Sequence, residues 1–172
     1  MAIDFNQNYF QLFEIECSTS INHKLLEKKY FEFQKKFHPD KFVNASNHEK
    51  RLSLQITSYI NEAYKILKND YLKSIYLLKI KGYEIEDENI TISDSKFLMH
   101  QMELREEVED VLQTRNEKVT KELLLKISNH KKNCLEEFGY NYDNNLFKDA
   151  LEIIQKMKFY ISIEKDFKRN IK

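Results

Sequence analysis

Glycine occurs twice and proline once in this chain of 172 residues, far below ordinary usage. Those residues make most tight turns and helix stops. Their scarcity, beside abundant lysine, glutamate, leucine and isoleucine, predicts long helices joined by short connections, an all-α fold. Cysteine is confined to Cys17 and Cys134, far apart and in no paired spacing. That excludes a CxxC zinc or redox motif and fits a reducing compartment; both are expected as small buried or half-buried apolar residues. No apolar run approaches the roughly 18 residues of a membrane span. The opening MAIDFNQNYFQLFEIE has no basic segment leading an apolar one, and no arginine, so it reads neither as a signal nor as a transit peptide. A cytoplasmic protein without membrane contact is expected. Net charge is lacking too: 28 Lys and Arg stand against 28 Asp and Glu. A nucleic-acid binder usually carries a basic excess, because phosphate neutralisation supplies most of its affinity; no nucleic-acid partner is expected.

The length suits one large domain or two small ones, and a chain of this size buries roughly 70% of its unfolded surface without a disulfide or metal. Tyr9, Phe10, Leu12 and Phe13 predict one short helix within 8–15. After the polar CSTSIN stretch, Asn22 is the expected N-cap of a second helix. From His23 to Phe37, the residues Leu26, Tyr30, Phe33 and Phe37 recur at spacings of four, three and four, one face of an amphipathic helix. Pro39 ends it, since proline disfavours helical geometry in the residue before it, and a loop is expected over 38–45. Ser46 and Glu49 form a capping box opening a long third helix, with Leu52, Ile56, Tyr59, Ala63 and Leu67 as its buried stripe and Asn69-Asp70 as its end. A helix over 71–81 stops at Gly82, where a left-handed residue is expected.

The acidic, polar stretch 83–93 reads as an inter-domain linker. Three long helices follow: one capped by Asp94 and reaching about Gln113, one from about Glu117 to Phe138 and ended by Gly139, and one from about Asp143 to near the C-terminus. Leu146, Ala150, Ile153, Ile154, Met157 and Ile161 mark the apolar side of the last. Short loops between long helices predict an antiparallel three-helix bundle over 94–172.

His38-Pro39-Asp40 stands between two amphipathic helices. A turn of no further consequence would account for the tripeptide alone. Its chemistry offers more: an exposed proline stiffens the loop and lowers the entropy lost on docking, Asp40 can take a bidentate hydrogen bond from an arginine, and His38 is a compact donor or acceptor beside it. No nucleophile stands at readable spacing from a base, and a single loop encloses no cleft, so no enzymatic activity is expected. The surroundings read YFQLF, then FEFQKKFHPDKF, then NEAYKIL. Tyr9, Phe10, Leu12, Tyr30, Phe37, His38, Pro39, Asp40, Lys41, Asn61, Glu62, Ala63, Tyr64 and Leu67 together resemble the J-domain, the module by which co-chaperones address DnaK-like chaperones. The resemblance spans residues 8 to about 75 and implies an antiparallel hairpin of the second and third helices with the His-Pro-Asp loop at its tip. Lys28, Lys29, Lys35, Lys36 and Lys41 are either a solvated helix face or a surface steering docking to an acidic chaperone. Phe31 and Glu32 fall where many J-domains carry a basic pair.

The second half has neither a Gly/Phe-rich linker nor CxxCxGxG repeats. On the helix of SDSKFLMHQMELREEVEDV, at about 100° per residue, Phe97, Gln101, Leu104, Val108 and Val111 form one stripe, the expected core face. Leu98, Met99 and Met102 lie broadly opposite, bordered by Glu103, Glu106 and Asp110. A bundle helix should bury one stripe, so the second patch either packs on the N-terminal domain or forms an exposed protein-binding surface, for which the flexible thioether of methionine is suited. The segment FLMxQMELREE resembles the corresponding helix of HscB co-chaperones. That resemblance implies scaffold contacts at Leu98, Met99, Met102, Glu103, Glu106 and Asp110, with Phe159 as an additional aromatic contact. His100 stands where bacterial relatives often carry an acid and is expected to make the patch rim less acidic and pH-sensitive.

The resemblance therefore implies a J-domain over 1–82, a linker over 83–93 and a scaffold-binding bundle over 94–172. The implied function is a monomeric co-chaperone that stimulates an HscA-type, DnaK-like ATPase and delivers the iron–sulfur scaffold IscU to it. The chaperone contacts are His38, Pro39, Asp40, Lys35, Lys36 and Lys41. No cofactor or metal is implied, because the cluster sits on the scaffold. The alternative is a J-domain adaptor with another client.

Overall fold

A computed structural model describes residues 3–84 and 94–171. The chain divides into two compact units, 1–82 and 83–172, and the described residues form helices without strands. Of the expected linker 83–93, all but residues 83 and 84 lies outside the described residues.

The first unit holds α1 (Tyr9–Leu12), α2 (His23–Phe37), α3 (Asn47–Lys68) and α4 (Asp70–Ile80). Local side-chain chemistry sets each start. Asn8 and Gln11 form a capping box on α1, Asn22 caps α2, Ser46 and Glu49 form the box that opens α3, and Asn69 ends α3 while capping α4. These side chains satisfy amide groups that the first helical turn leaves unpaired. Gly82 takes the left-handed conformation after α4 (φ 83°), where a side chain would be strained. The core comprises Phe10, Leu12, Phe13, Leu26, Ile56, Ile60, Ala63, Leu67, Leu77 and Leu78. Tyr9 is stacked on Tyr76 at 4.4 Å, and its backbone N–H donates to the Tyr76 hydroxyl at 3.0 Å. Lys73 is buried, but its ammonium meets Asp70 at 2.8 Å, so the charge is not left unpaired inside.

Two expectations for this unit are corrected. The loop over 38–45 contains a 3-10 turn, Pro39–Phe42. The buried stripe of α3 runs through Ser53, Ile56, Ile60, Ala63 and Leu67, while Leu52 is 40% exposed and Tyr59 half-buried. Close to the 3-10 turn, on which α3 packs, the small Ser53 takes the inward position, its hydroxyl donating to the Lys50 carbonyl at 2.9 Å.

The second unit holds α5 (Ser95–Thr114), α6 (Glu117–Asp143) and α7 (Phe147–Asn170), with α6 and α7 each packed on the other and on α5. Asp94 caps α5 through the amides of Lys96 and Phe97 and also receives the ammonium of Lys156 on α7 at 2.9 Å. Burial of Phe97, Leu104, Val108 and Val111 matches the expected core face of α5, with Gln101 half-buried.

The expected stop at Gly139 is not found: α6 continues to Asp143. A helical glycine costs only about 0.5–1 kcal/mol, and Phe138 and Tyr142 on either side are both buried. The stop comes at Asn145, left-handed at φ 60°, whose N–H bonds Tyr142 while that of Leu146 reaches Asn141; this paired closure is the Schellman pattern, with asparagine in the place glycine often takes. As a result α7 starts at Phe147. Its buried stripe is Ala150, Ile154, Met157, Tyr160, Ile163 and Phe167, with Ile153 and Ile161 half-buried and Leu146 exposed. The face turns toward Tyr160 and Phe167, whose rings bring more area into the core than aliphatic side chains.

Candidate functional site

Two surfaces, one in each unit, carry the residues singled out in the sequence. The first is the tip of the α2–α3 hairpin. Tyr30 stacks on Tyr64 at 4.0 Å, and both the Tyr30 hydroxyl (3.0 Å) and the Gln34 amide (2.7 Å) donate to Asn61 Oδ1. The Thr57 hydroxyl donates to the Phe37 carbonyl at 2.9 Å, pinning the last residue of α2 to α3. His38 then leaves the helix at φ −57°, ψ 131°, the extended geometry that a following proline favours. Pro39 opens the 3-10 turn, where its missing N–H is not needed.

Inside the tip, the Asp40 N–H donates to His38 Nδ1 at 3.3 Å, Asp40 Oδ2 lies 3.4 Å from the same nitrogen, and the Lys41 N–H donates to the His38 carbonyl at 3.0 Å. The turn is thus held by its own atoms while His38 and Asp40 stay exposed and Pro39 half-buried. Lys35, Lys36 and Lys41 are exposed. They are not equivalent: the Lys36 ammonium lies 5.3 Å from the Phe37 ring centre, whereas no ion pair occupies Lys35 or Lys41 among the described residues. Lys29 pairs with Glu14, and so is partly committed within the unit.

The second surface lies on α5. Leu98, Met99 and Met102 are 47%, 64% and 65% exposed, and Glu103, Glu106 and Asp110 are exposed beside them. Phe159 of α7 is half-buried. Its ring meets Phe97 edge-on at 5.8 Å and lies 5.6 Å from the Arg105 guanidinium. By helical register Arg105 continues the Leu98–Met102 row by one turn, so it links that row to Phe159. The sequence reading gave Arg105 no part; its place on the wheel was the available signal.

His100 is corrected. It does not stand on the acidic rim but points into the bundle, half-buried, with its ring 4.9 Å from His130 of α6 and 6.0 Å from Tyr160 of α7. His130 in turn stacks on Tyr160 at 4.8 Å. Burial, then His100, then Lys126 hold His130 below the ordinary imidazole range, with Glu107 opposing.

Nothing in these shifts prepares a nucleophile. Burial pushes the Cys134 thiol up to about 11 and the Tyr9 and Tyr160 phenols up to about 12, with nearby acids contributing. Cys17 is exposed, against expectation, while Cys134 is buried. Among the described residues, no cluster of three or more His, Cys, Asp or Glu is placed to hold a metal, and no helix is long and apolar enough to cross a membrane.

The family described as the HSCB C-terminal oligomerisation domain matches residues 93–168. The chain is 33% identical over 94% of its length to a protein of Aliivibrio salmonicida named co-chaperone protein HscB homolog, covering 95% of that protein. A relative of the same name from Shewanella pealeana is 36% identical, with 94% of this chain and 95% of the relative covered. Among solved structures, chaperone HscB from Vibrio cholerae superposes with a TM-score of 0.85 at 30% identity, covering 95% of this chain and 96% of that one. Human co-chaperone HscB superposes at 0.91 and 28% identity, over 98% and 84% of the two chains.

Proposed function

Because this chain belongs to the HscB family of co-chaperones, we propose that it stimulates ATP hydrolysis by a DnaK-like, HscA-type chaperone and delivers the iron–sulfur scaffold IscU to it during cluster assembly. The J-domain of residues 1–82 engages the chaperone through His38, Pro39, Asp40, Lys35, Lys36 and Lys41. The bundle of residues 94–172 holds the scaffold through Leu98, Met99, Met102, Glu103, Glu106, Asp110 and Phe159, and the linker between them is 83–93. The chain acts as a cytoplasmic monomer without a cofactor, and bond chemistry takes place on its partner.

One observation carries this reading: the tip is tied internally through backbone groups and His38 Nδ1, leaving the Asp40 carboxylate exposed to an incoming donor. A turn that served only to reverse the chain would not need an exposed carboxylate held beside an imidazole. Charge-assisted hydrogen bonds to such a carboxylate are roughly twice as strong as neutral ones, and a stiffened loop loses little entropy on docking. On α5 the separate apolar patch with acidic margins suits a client whose own surface is apolar with basic margins.

The test is the ATPase rate of the purified chaperone with this protein alone, with scaffold alone, and with both. A rate with both that exceeds either alone is expected. A rate independent of this protein overturns the co-chaperone reading, and stimulation that never responds to scaffold overturns the client assignment.

A further inference from the structure

At about 100° per residue, Lys24, Lys28, Phe31 and Lys35 of α2 fall within an arc of about 60° on the side away from Leu26, the buried residue of that helix. His38, the C-cap, prolongs the row to the tip. All five are exposed. Glu27 and Glu32 stand at its edges, so the row itself is cationic with one aromatic ring in its middle. Phe31 is 55% exposed, its ring meeting that of Tyr30 at 5.5 Å. Tyr30 is fixed by Tyr64 and Asn61, so Phe31 projects from backbone already anchored to α3.

A single exposed phenylalanine needs no explanation in itself. Its placement does: Lys28 and Lys35 flank it one turn to either side, on a line that ends at His38. Binding energy at interfaces concentrates in a few well-seated anchors, aromatic ones prominent among them, surrounded by contacts that exclude water. Lysine stems can close around such a ring while their ammonium groups reach outward. The cationic flanks select an acidic counterpart over a neutral or basic one.

We infer that Phe31 is an apolar anchor at the centre of the chaperone-docking face, received by a hollow rimmed with carboxylates on the DnaK-like partner. This face then selects its chaperone by an apolar contact as well as by charge. The inference rests on the co-chaperone reading of His38-Pro39-Asp40, and extends it along α2 to Phe31, Lys28 and Lys24.

The experiment titrates the purified HscA-type chaperone of the same organism with full-length protein and reads ATPase half-saturation and plateau. Phe31→Ala should raise the half-saturating concentration about tenfold with the plateau still reached, and Phe31→Leu should recover most of the loss. Thermal unfolding of both variants should match the parent, as expected for an exposed site. In high salt the Phe31→Ala shift should persist, while shifts from Lys28→Glu and Lys35→Glu should fade as screening shortens to about 3 Å at 1 M. His38→Gln separates the two claims. If His38→Gln abolishes stimulation and Phe31→Ala changes nothing, the anchor is refuted and the co-chaperone reading stands. If His38→Gln is silent, that reading fails and the inference with it. An effect of Phe31→Ala confined to self-association or to scaffold affinity assigns the ring to another occupant and also overturns the inference.

Discussion

The hairpin tip and the α5 patch reach exposure by opposite routes. At the tip, His38, Pro39, Asp40 and Lys41 sit on or beside a 3-10 turn that contributes no fully buried residue, so this part of the surface is set apart from the core. On α5, the exposed Leu98, Met99 and Met102 share a helix with the buried Phe97, Leu104, Val108 and Val111, with Phe97 and Leu98 at adjacent positions. Function and stability are therefore separable by region at the tip, but only by helical face on α5. A loop suits a polar contact that must admit one arginine-like donor. A helix suits an apolar contact, because its rigid backbone holds several side chains in register without further cost in entropy.

The largest expected effect tests the first half of that contrast. His38→Gln or Asp40→Asn should abolish chaperone ATPase stimulation while leaving helicity and thermal unfolding unchanged, since exposed substitutions typically alter stability by less than about 0.5 kcal/mol. A variant that unfolds shows that the tip is coupled to the core after all; one that still stimulates fully removes the tip from the docking face.

On α5 the contrast predicts that neighbours in sequence behave differently. Replacing Leu98, Met99 and Met102 together by alanine should remove scaffold binding measured by calorimetry, with each anchor contributing about 1–3 kcal/mol, and should cost little stability. Leu104→Ala, at 1% exposure, should destabilise the protein by about 2–5 kcal/mol in denaturant unfolding. Equal losses of stability from the two would mean that the patch is packed against something within the chain.

Charge gives a smaller effect, sharpened by geometry. Lys35 and Lys36 are adjacent, yet Lys36 lies over Phe37 and Lys35 belongs to the row ending at His38. Lys35→Glu should slow chaperone association more than Lys36→Glu at low salt, with both losses shrinking as salt rises. Equal slowing in stopped-flow measurements would show that the face acts through net charge alone.

Helix starts were readable in the sequence because capping is local chemistry: Asn22, the Ser46–Glu49 pair and Asp94 all cap where expected. Stops and buried faces depend on neighbours distant in sequence. Gly139 was a false stop because Phe138 and Tyr142 hold α6 on its partners through that point. Leu52 gave way to Ser53 where α3 approaches the 3-10 turn, and Ile153 and Ile161 gave way to Tyr160 and Phe167. That Leu98, Met99 and Met102 lie off the core stripe followed from the wheel, but their exposure did not, since the wheel left packing on the N-terminal domain equally open. His100 was misplaced on the patch rim although, at about 100° per residue, it falls about 20° from Val111, at the edge of the core stripe.

That misplacement leads to the smallest expected effect, which acts on the interior of the second unit rather than on either docking surface. His130 is stacked on Tyr160, with the His100 ring tilted against it, and burial, His100 and Lys126 outweigh Glu107 in favouring its neutral form. The unfolded chain therefore takes up the proton first as pH falls below the ordinary imidazole value of about 6.5. Stability is full above that value, declines as pH falls toward the lowered folded value, and levels off beneath it. Glu164, where burial is outweighed by Lys131 and Lys168, and Asp94, held by Lys156, are both kept low and lose their contributions only in more acid solution, below about 4.3. The two windows are distinct. Titration of the His130 ring proton by NMR should give a midpoint below the ordinary one, and hydrogen-exchange protection, taken relative to the intrinsic rate at each pH, should fall between neutrality and mild acid in α5, α6 and α7 but not at the α2–α3 hairpin. His130→Phe should keep the stacked ring and remove the mild-acid loss. A midpoint at or above 6.5, or an equal loss of protection across the hairpin, would show that acid does not act through this cluster.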